Sequence, residues 1–387
     1  MSRTLAFTIS EYQERLRSVK QRMEAAGVST LFVISEPNIV YLTGYEGFSA
    51  YVPQGLLVCL SDEQPTLILR EMDVLCANSV YLNDEHIIQY DEDLLGLGEE
   101  PVWRRIGEII AARRKRGRLA IERSARGLTV DNYAALTKAI GPVEIVEGSG
   151  WVNAVRAVKS TDELMYMRRA GAIADAAILA GVKKIGRDVR EADVSAEVVS
   201  TLAAGTTDFP GGPPITGPVM AVGPISNAPH VYWSSGIYQA GMQTNFETGA
   251  YQRRYSTAVS RTAFLGKPSA RLVHIDQSVR DAFEATLPAF KTGARCCDVY
   301  ARFWEVFGPA GVKKKSRIGY GIGIDWAEGN YSLQRDDTSI LLANSTLHFI
   351  VGIWEREEGY ILSETVRVTD GGAESFSTIR RGMFVIE

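Results

Sequence analysis

Between residues 10 and 26, apolar positions recur every three or four residues (Tyr12, Leu16, Val19, Met23), which predicts a helix opened by Ser10 and closed by Gly27. The uninterrupted apolar run TLFVI at 30–34 predicts a buried strand. Residues 55–61 and 66–69 alternate as a hairpin pair, with Asp62-Glu63 in the turn. A helix at 103–116 ends in RRKRG, where positive charge suits the negative end of a helix dipole. A strand at 118–121 and a helix at 129–140 follow, so the chain reads as an α/β domain up to about Gly150. Tyr41-Leu42-Thr43-Gly44-Tyr45 reads as a polar-aromatic turn.

Beyond Trp151 the pattern changes. Lys159-Ser160-Thr161-Asp162-Glu163 has the composition of a helix start, and Leu164, Met167, Ala170, Ile173, Ala177 and Val182 hold the helical period through about Lys184. A second helix is expected at 191–205. The stretch FPGGPPITG at 209–217 carries too many prolines for a sheet interior and predicts a shaped loop. Residues 243–248 and 255–263 predict two strands, with Gly249 at the turn or bulge between them. Helices are expected at 269–290 and 297–307, and strands dominate from 318 onward. The chain divides into a domain at 1–150 and another at 151–387.

A length of 387 residues exceeds one ordinary core and agrees with two domains. The net charge of −4 supplies no basic surplus for nucleic acid and no polybasic patch for a membrane. No apolar run is long enough to span a bilayer, and the N-terminal stretch lacks a signal-peptide core. Cys59, Cys76, Cys296 and Cys297 have no C-x-x-C spacing, which argues against a disulfide framework or a thiolate zinc site. A cytoplasmic location is expected.

Candidate chemistry centres on residues 224–262. Here His230, one of four histidines, is followed by Glu247, Tyr255 and Arg261. Two strands joined by a turn hold such groups rigidly. On residue type alone, a hairpin whose histidine satisfies a local backbone group stays open beside the catalytic reading.

Six segments in order resemble the creatinase/aminopeptidase P family over essentially the whole chain: YLTGY, VKSTDEL, NAPHVYW, ETGAYQRRYSTAVSRT, GYGIGIDWAEG and GYILSETVRVTDGG. The resemblance implies an α/β N-terminal domain and an α+β C-terminal domain of the pita-bread type, two αββ halves around a curved antiparallel sheet. It also implies a homodimer. Metallopeptidases of the family bind two metal ions through two Asp, one His and two Glu. Carried onto this chain, those positions fall at Glu247, Ala258, Tyr320, Ile350 and Glu364. Ala258 and Ile350 offer no donor atom, and a neutral tyrosine replaces imidazole poorly. No dinuclear site and no cofactor are therefore expected.

The chain is more similar to the metal-free branch that contains creatinase and ectoine hydrolase. That likeness implies His230, Glu247 and Glu364 as catalytic groups, with Tyr255, Tyr320, Asp325, Trp326, His348 and Trp354 about a small-molecule substrate. It implies hydrolysis of a C–N bond, foremost the opening of a cyclic amidine such as ectoine. In that reaction Glu247 attacks the amidine carbon or directs water to it, His230 moves protons and Glu364 pairs with the amidinium. Arg70 and Arg261 are candidates for a substrate carboxylate. Relative to the ectoine hydrolases, the run between the GY-x-IG segment and Trp326 is short, which predicts a reshaped pocket with Asp325 adding negative charge. Two readings of other classes stand beside it: a creatinase-type amidinohydrolase on a guanidino compound, and a catalytically silent binding protein. An Xaa-Pro metallopeptidase is the least favoured.

Overall fold

A computed structural model describes residues 5–47, 49, 51–213, 217–356 and 358–387; positions 214–216 of the Gly/Pro-rich loop lie outside them. The chain forms two compact units, one ending at Arg156 and one beginning at Ala157. Among the described residues no helix is long and apolar enough to cross a membrane.

The first unit runs α1 (Ile9–Ala25), β1 (Val28–Val33), α2 (Glu36–Thr43), β2 (Gly55–Cys59), β3 (Thr66–Arg70), β4 (Ile87–Tyr90), α3 (Glu100–Arg113), β5 (Arg118–Ile121), α4 (Val130–Ile140), β6 (Ile145–Glu147) and α5 (Trp151–Arg156). Its mixed sheet has the order β4-β3-β2-β1-β5-β6. Phe32, Leu57 and Ile68 from the sheet and Val102, Ile106 and Ile110 from α3 build its core. The cap of α1 is Thr8 rather than Ser10: extended Thr8 accepts the Glu11 N–H on its hydroxyl, which leaves Ser10 inside the first turn. The expected turn at 41–45 is a helix end. Tyr41, Leu42 and Thr43 close α2, and Gly44 takes the left-handed conformation (φ +79°) that terminates it.

The second unit holds the candidate chemistry. It runs α6 (Thr161–Lys184), α7 (Glu191–Ala204), β7 (Val219–Val222), β8 (Gln243–Gln252), β9 (Tyr255–Leu265), α8 (Ala270–Thr286), α9 (Cys296–Phe307), β10 (Gly319–Ile322), β11 (Ala327–Ser332), β12 (Thr346–Trp354), β13 (Gly359–Thr369), β14 (Gly372–Ser375) and β15 (Phe384–Ile386). A full capping box starts α6: the Ser160 hydroxyl accepts the Glu163 N–H, and the Glu163 carboxylate accepts the Ser160 N–H. The sheet path is β11-β10-β12-β13-β9-β8-β7, with β14 beside β13 and β15 beside β9.

One face of this sheet is covered by helices. Phe246, Ala250, Val259 and Ala263 pack with α6 and α7, and Leu347, Phe349, Leu362 and Val366 pack with α8 and α9. The sheet curves far enough for the segment after β10 to return to the tip of the β8–β9 hairpin. There the Ser256 N–H and hydroxyl both bond the Gly323 carbonyl, at 2.8 and 2.9 Å.

Gly249 is not at a turn. The β8–β9 ladder runs unbroken from Gln243 opposite Phe264 to Gln252 opposite Tyr255. The turn is Arg253-Arg254, both with positive φ (49° and 70°), which matches the twist of an antiparallel pair.

Candidate active site

Adjacent side chains on a strand point to opposite faces, so register sorts the sheet into a helix-packed side and an open side. On the open side one row reads Ile350, Ser363, Ser260, Glu247 and Val219, from β12 to β7. The next row reads Tyr320, His348 and Thr365 on β10, β12 and β13, continued by Ala258 and Gly249 on β9 and β8. The Ala258 N–H donates to the Thr365 hydroxyl at 2.9 Å, which locks the two halves of this row together.

Glycine is required at 249 by packing. A Cβ there would lie 2.4 Å from a ring carbon of Trp326, so the indole sits directly on the backbone two residues from Glu247. Trp326 then begins a hydrogen-bonded chain. Its Nε1 donates to the Tyr320 hydroxyl at 2.8 Å, and that oxygen lies 3.1 Å from His348 Nδ1. His348 Nε2 is 2.7 Å from Ser363 Oγ, which donates to Ser260 Oγ at 2.7 Å. Ser260 is the register partner of Glu247.

Burial sets the charge state of this cluster. His348 is fully buried, and desolvation, with the Arg317 charge adding to it, pushes its imidazole down to about 3, so it is neutral near pH 7. Burial, then the charge of Glu247, pushes the Tyr320 phenol up to about 12. Glu247 has no hydrogen-bond partner among the described residues, and burial alone pushes its carboxyl up to about 7. On the open side of β8, β9, β12 and β13 it is the sole carboxylate. A partly buried acid without a partner, poised near neutrality, is a recurrent property of catalytic carboxyls.

The structure thus brings together Glu247, Tyr320, Trp326 and His348 of the residues expected at the site. Glu364 does not join them. It pairs in register with Phe349 and lies on the helix-packed side, with Oε1 bound by Arg261 at 2.8 Å. Its Oε2 is bound by Arg381 at 2.8 Å and by the Ser375 hydroxyl. The β13 residue facing the site is Ser363. Alternation in GYILSETVRVT already carried this signal, because Glu364 shares the parity of Tyr360, Leu362, Val366 and Val368, all of which are buried in the core.

Tyr255 also belongs to the helix-packed side, where its hydroxyl donates to Glu163 at 2.6 Å. Asp325 adds no free negative charge, because Arg254 binds both its oxygens at 2.7 Å. Trp354 has the open-side parity of β12 but lies at the strand's far end, in the row of Gly359, with its ring against Gly352. Neither arginine expected to hold a carboxylate is available for it: Arg261 is bound to Glu364, and Arg70 in the first unit pairs with Asp73 and Glu92. His230 is exposed, with φ 56°, on the loop after Ser226. That loop is anchored by Asn245 Nδ2 donating to the Ser226 carbonyl at 2.6 Å and by the Met220 N–H donating to the Val231 carbonyl at 3.0 Å. His230 therefore sits at the rim, beyond the edge strand β7.

Comparisons with known proteins agree with this architecture. Residues 15–158 match the creatinase/prolidase N-terminal domain, and residues 165–370 match metallopeptidase family M24. An uncharacterized hydrolase/peptidase of Sinorhizobium fredii is 35% identical over 382 residues, covering 98% of both chains. The ectoine hydrolase of Halomonas elongata is 28% identical over 395 residues, covering 99% of both. Among solved structures, a prolidase from Thermococcus sibiricus superposes with a TM-score of 0.85 at 19% identity, covering 97% of this chain and 99% of its own. At that identity the likeness speaks for the fold alone: a creatinase-type N-terminal domain and a pita-bread C-terminal domain with a curved antiparallel sheet. The chain belongs to the M24 family of hydrolases and carries that family's creatinase/prolidase N-terminal domain.

Proposed function

We propose that this protein is a metal-independent hydrolase of C–N bonds in a small cationic or zwitterionic compound, with ring opening of a cyclic amidine such as ectoine as its reaction. The observation that carries this reading is Glu247, a partnerless carboxyl near neutrality and the sole carboxylate on the open side of β8, β9, β12 and β13. Of the five positions onto which the family's metal ligands are carried, Glu247, Ala258, Tyr320 and Ile350 lie on the open side, whereas Glu364 faces the helices and leaves Ser363 as its open-side neighbour. One carboxylate among an aliphatic pair, a phenol and a hydroxyl does not fit two divalent ions. Among the described residues no three His, Cys, Asp or Glu side chains cluster closely enough to hold a metal ion.

In the proposed reaction the planar amidinium lies against the Trp326 indole, drawn by cation–π attraction and by ionised Glu247. A Glu247 oxygen forms a bond to the amidine carbon. The bond to one ring nitrogen then breaks, and that nitrogen takes a proton and leaves as the amine of the opened chain. Water attacks the imidate carbon of the resulting O-acylimidate, and Glu247 departs as carboxylate with the amide as product. His230, on the rim loop, is the proposed donor to the leaving nitrogen and acceptor from water. The neutral Tyr320–His348–Ser363 chain holds the wall in place. The 28% identity to ectoine hydrolase over nearly the whole length supports this choice of substrate.

The test is turnover of ectoine, hydroxyectoine and creatine by metal-stripped protein, read by amine release and intact mass. Ring opening without metal, lost in Glu247→Ala and accompanied by an adduct on Glu247, is expected. Activity on any of the three that appears only after manganese or zinc is added would overturn the metal-free reading. Turnover of creatine alone would move the assignment to a guanidino substrate.

A further inference from the structure

Arg317 precedes β10 in the run Lys313-Lys314-Lys315-Ser316-Arg317, four positive charges in five residues of a chain whose net charge is −4. It is exposed, and its guanidinium carbon lies 4.4 Å from the centre of the Tyr320 ring, the ring whose hydroxyl joins Trp326 to His348. One of its nitrogens donates to the Ser332 hydroxyl at 3.2 Å, and no carboxylate pairs with it among the described residues. Four other arginines in or beside this sheet differ. Arg254 is committed to Asp325, Arg261 and Arg381 to Glu364, and Arg367 to Glu374. Both charges act on the Tyr320 phenol, Glu247 pushing it up and Arg317 pulling it down. Lys314 reinforces the positive rim, since its ammonium donates to the Ser316 hydroxyl at 2.9 Å and reaches the Gly352 carbonyl of β12 at 3.4 Å.

We infer that Arg317 is the subsite for a substrate carboxylate, so that the pocket selects a zwitterion over a cation of the same shape without the acid group. The cationic end of that zwitterion is the amidinium or guanidinium assigned to Glu247 and Trp326 above, so the inference rests on that reading. A guanidinium resting on an aromatic ring keeps a planar fork of N–H donors that fits a carboxylate edge-on, and a lysine there would present only a point charge.

The experiment measures equilibrium binding, by calorimetry, of two matched pairs: ectoine with 2-methyl-1,4,5,6-tetrahydropyrimidine, and creatine with 1,1-dimethylguanidine. Each second member lacks the carboxylate. Wild-type protein, Arg317→Gln and Arg317→Lys are compared, each first shown by thermal melting to be folded. Arg317→Gln is expected to weaken the carboxylate-bearing member of the bound pair about tenfold or more and to leave its partner unchanged, with Arg317→Lys in between. Equal weakening of both members, or of neither, overturns the inference while leaving the hydrolase reading intact if ectoine is still turned over. Selectivity confined to the creatine pair keeps Arg317 as the carboxylate subsite and rejects the cyclic amidine. Absence of binding for all four ligands overturns both.

Discussion

Glu247 carries the sharpest consequences at the scale of single residues. Its carboxyl is raised from the ordinary 4.5 to about 7, so the folded protein holds a proton there that the unfolded chain has released. Stability therefore falls as pH rises from about 4.5 through 7, and the full cost is present above that window. Glu247→Gln should raise stability at pH 8 by up to about 3 kcal/mol and leave it unchanged at pH 4, while abolishing turnover. Denaturant titrations at the two pH values check this, and equal stability at pH 8 would remove the desolvated carboxyl from the account. For the same reason kcat/KM should climb through about pH 7, as the free enzyme's Glu247 ionises. Tyr320→Phe removes the acceptor of the Trp326 N–H and the partner of His348 Nδ1 together. Two polar groups then lose their bonds in the wall, and a loss of about 1–3 kcal/mol is expected by thermal melting, with kcat reduced more than binding.

At the scale of elements, the β8–β9 hairpin and the segment carrying Trp326 act as one piece. Gly249→Ala puts a methyl group into the indole, so Trp326 must shift from its place beside Glu247. Activity should drop at least as far as in Trp326→Leu, and the double variant should do no worse than Trp326→Leu alone. A double-mutant cycle on kcat/KM checks that coupling, and additive losses would show that the two do not meet. Much of this architecture was legible beforehand. Helical period and capping residues gave α6, whose box at Ser160 and Glu163 is where the segment KSTDE placed it. Alternation gave β8 and β9. The site was less legible, because its faces depend on register. Glu247 and Trp326 were visible as residue types, yet adjacent Ser363 and Glu364 exchange roles with a one-residue step. The contact between Gly249 and Trp326 joins positions 77 residues apart, and no local pattern reports it.

At the scale of the whole catalytic unit, the Arg261–Glu364 pair sits between the two helix-backed cores. Arg261 donates to the carbonyls of Ser260, Ser363, Ile379 and Arg380 besides Glu364, so one guanidinium ties β9, β13 and the C-terminal segment together. Removing one partner leaves the other buried and unpaired, which typically costs about 3–5 kcal/mol. Glu364→Gln should therefore lower the melting temperature strongly while the protein that remains folded at low temperature keeps its kcat. A selective loss of kcat without loss of stability would return Glu364 to the chemistry. The same outcome separates a structural carboxylate from a catalytic one, which composition and motif alone did not.

The Arg254–Asp325 pair has a consequence for how this pocket can change over evolutionary time. Asp325 neighbours Trp326, and Arg254 occupies the hairpin tip, so the aromatic wall hangs from a charge pair on the outer side of the site. Substitutions at the tip can move the indole by small steps without altering Glu247, His348 or either sheet row. Lineages can then try new substrates while the reacting groups stay fixed. Drift in that turn would appear as altered selectivity long before it appeared as lost chemistry.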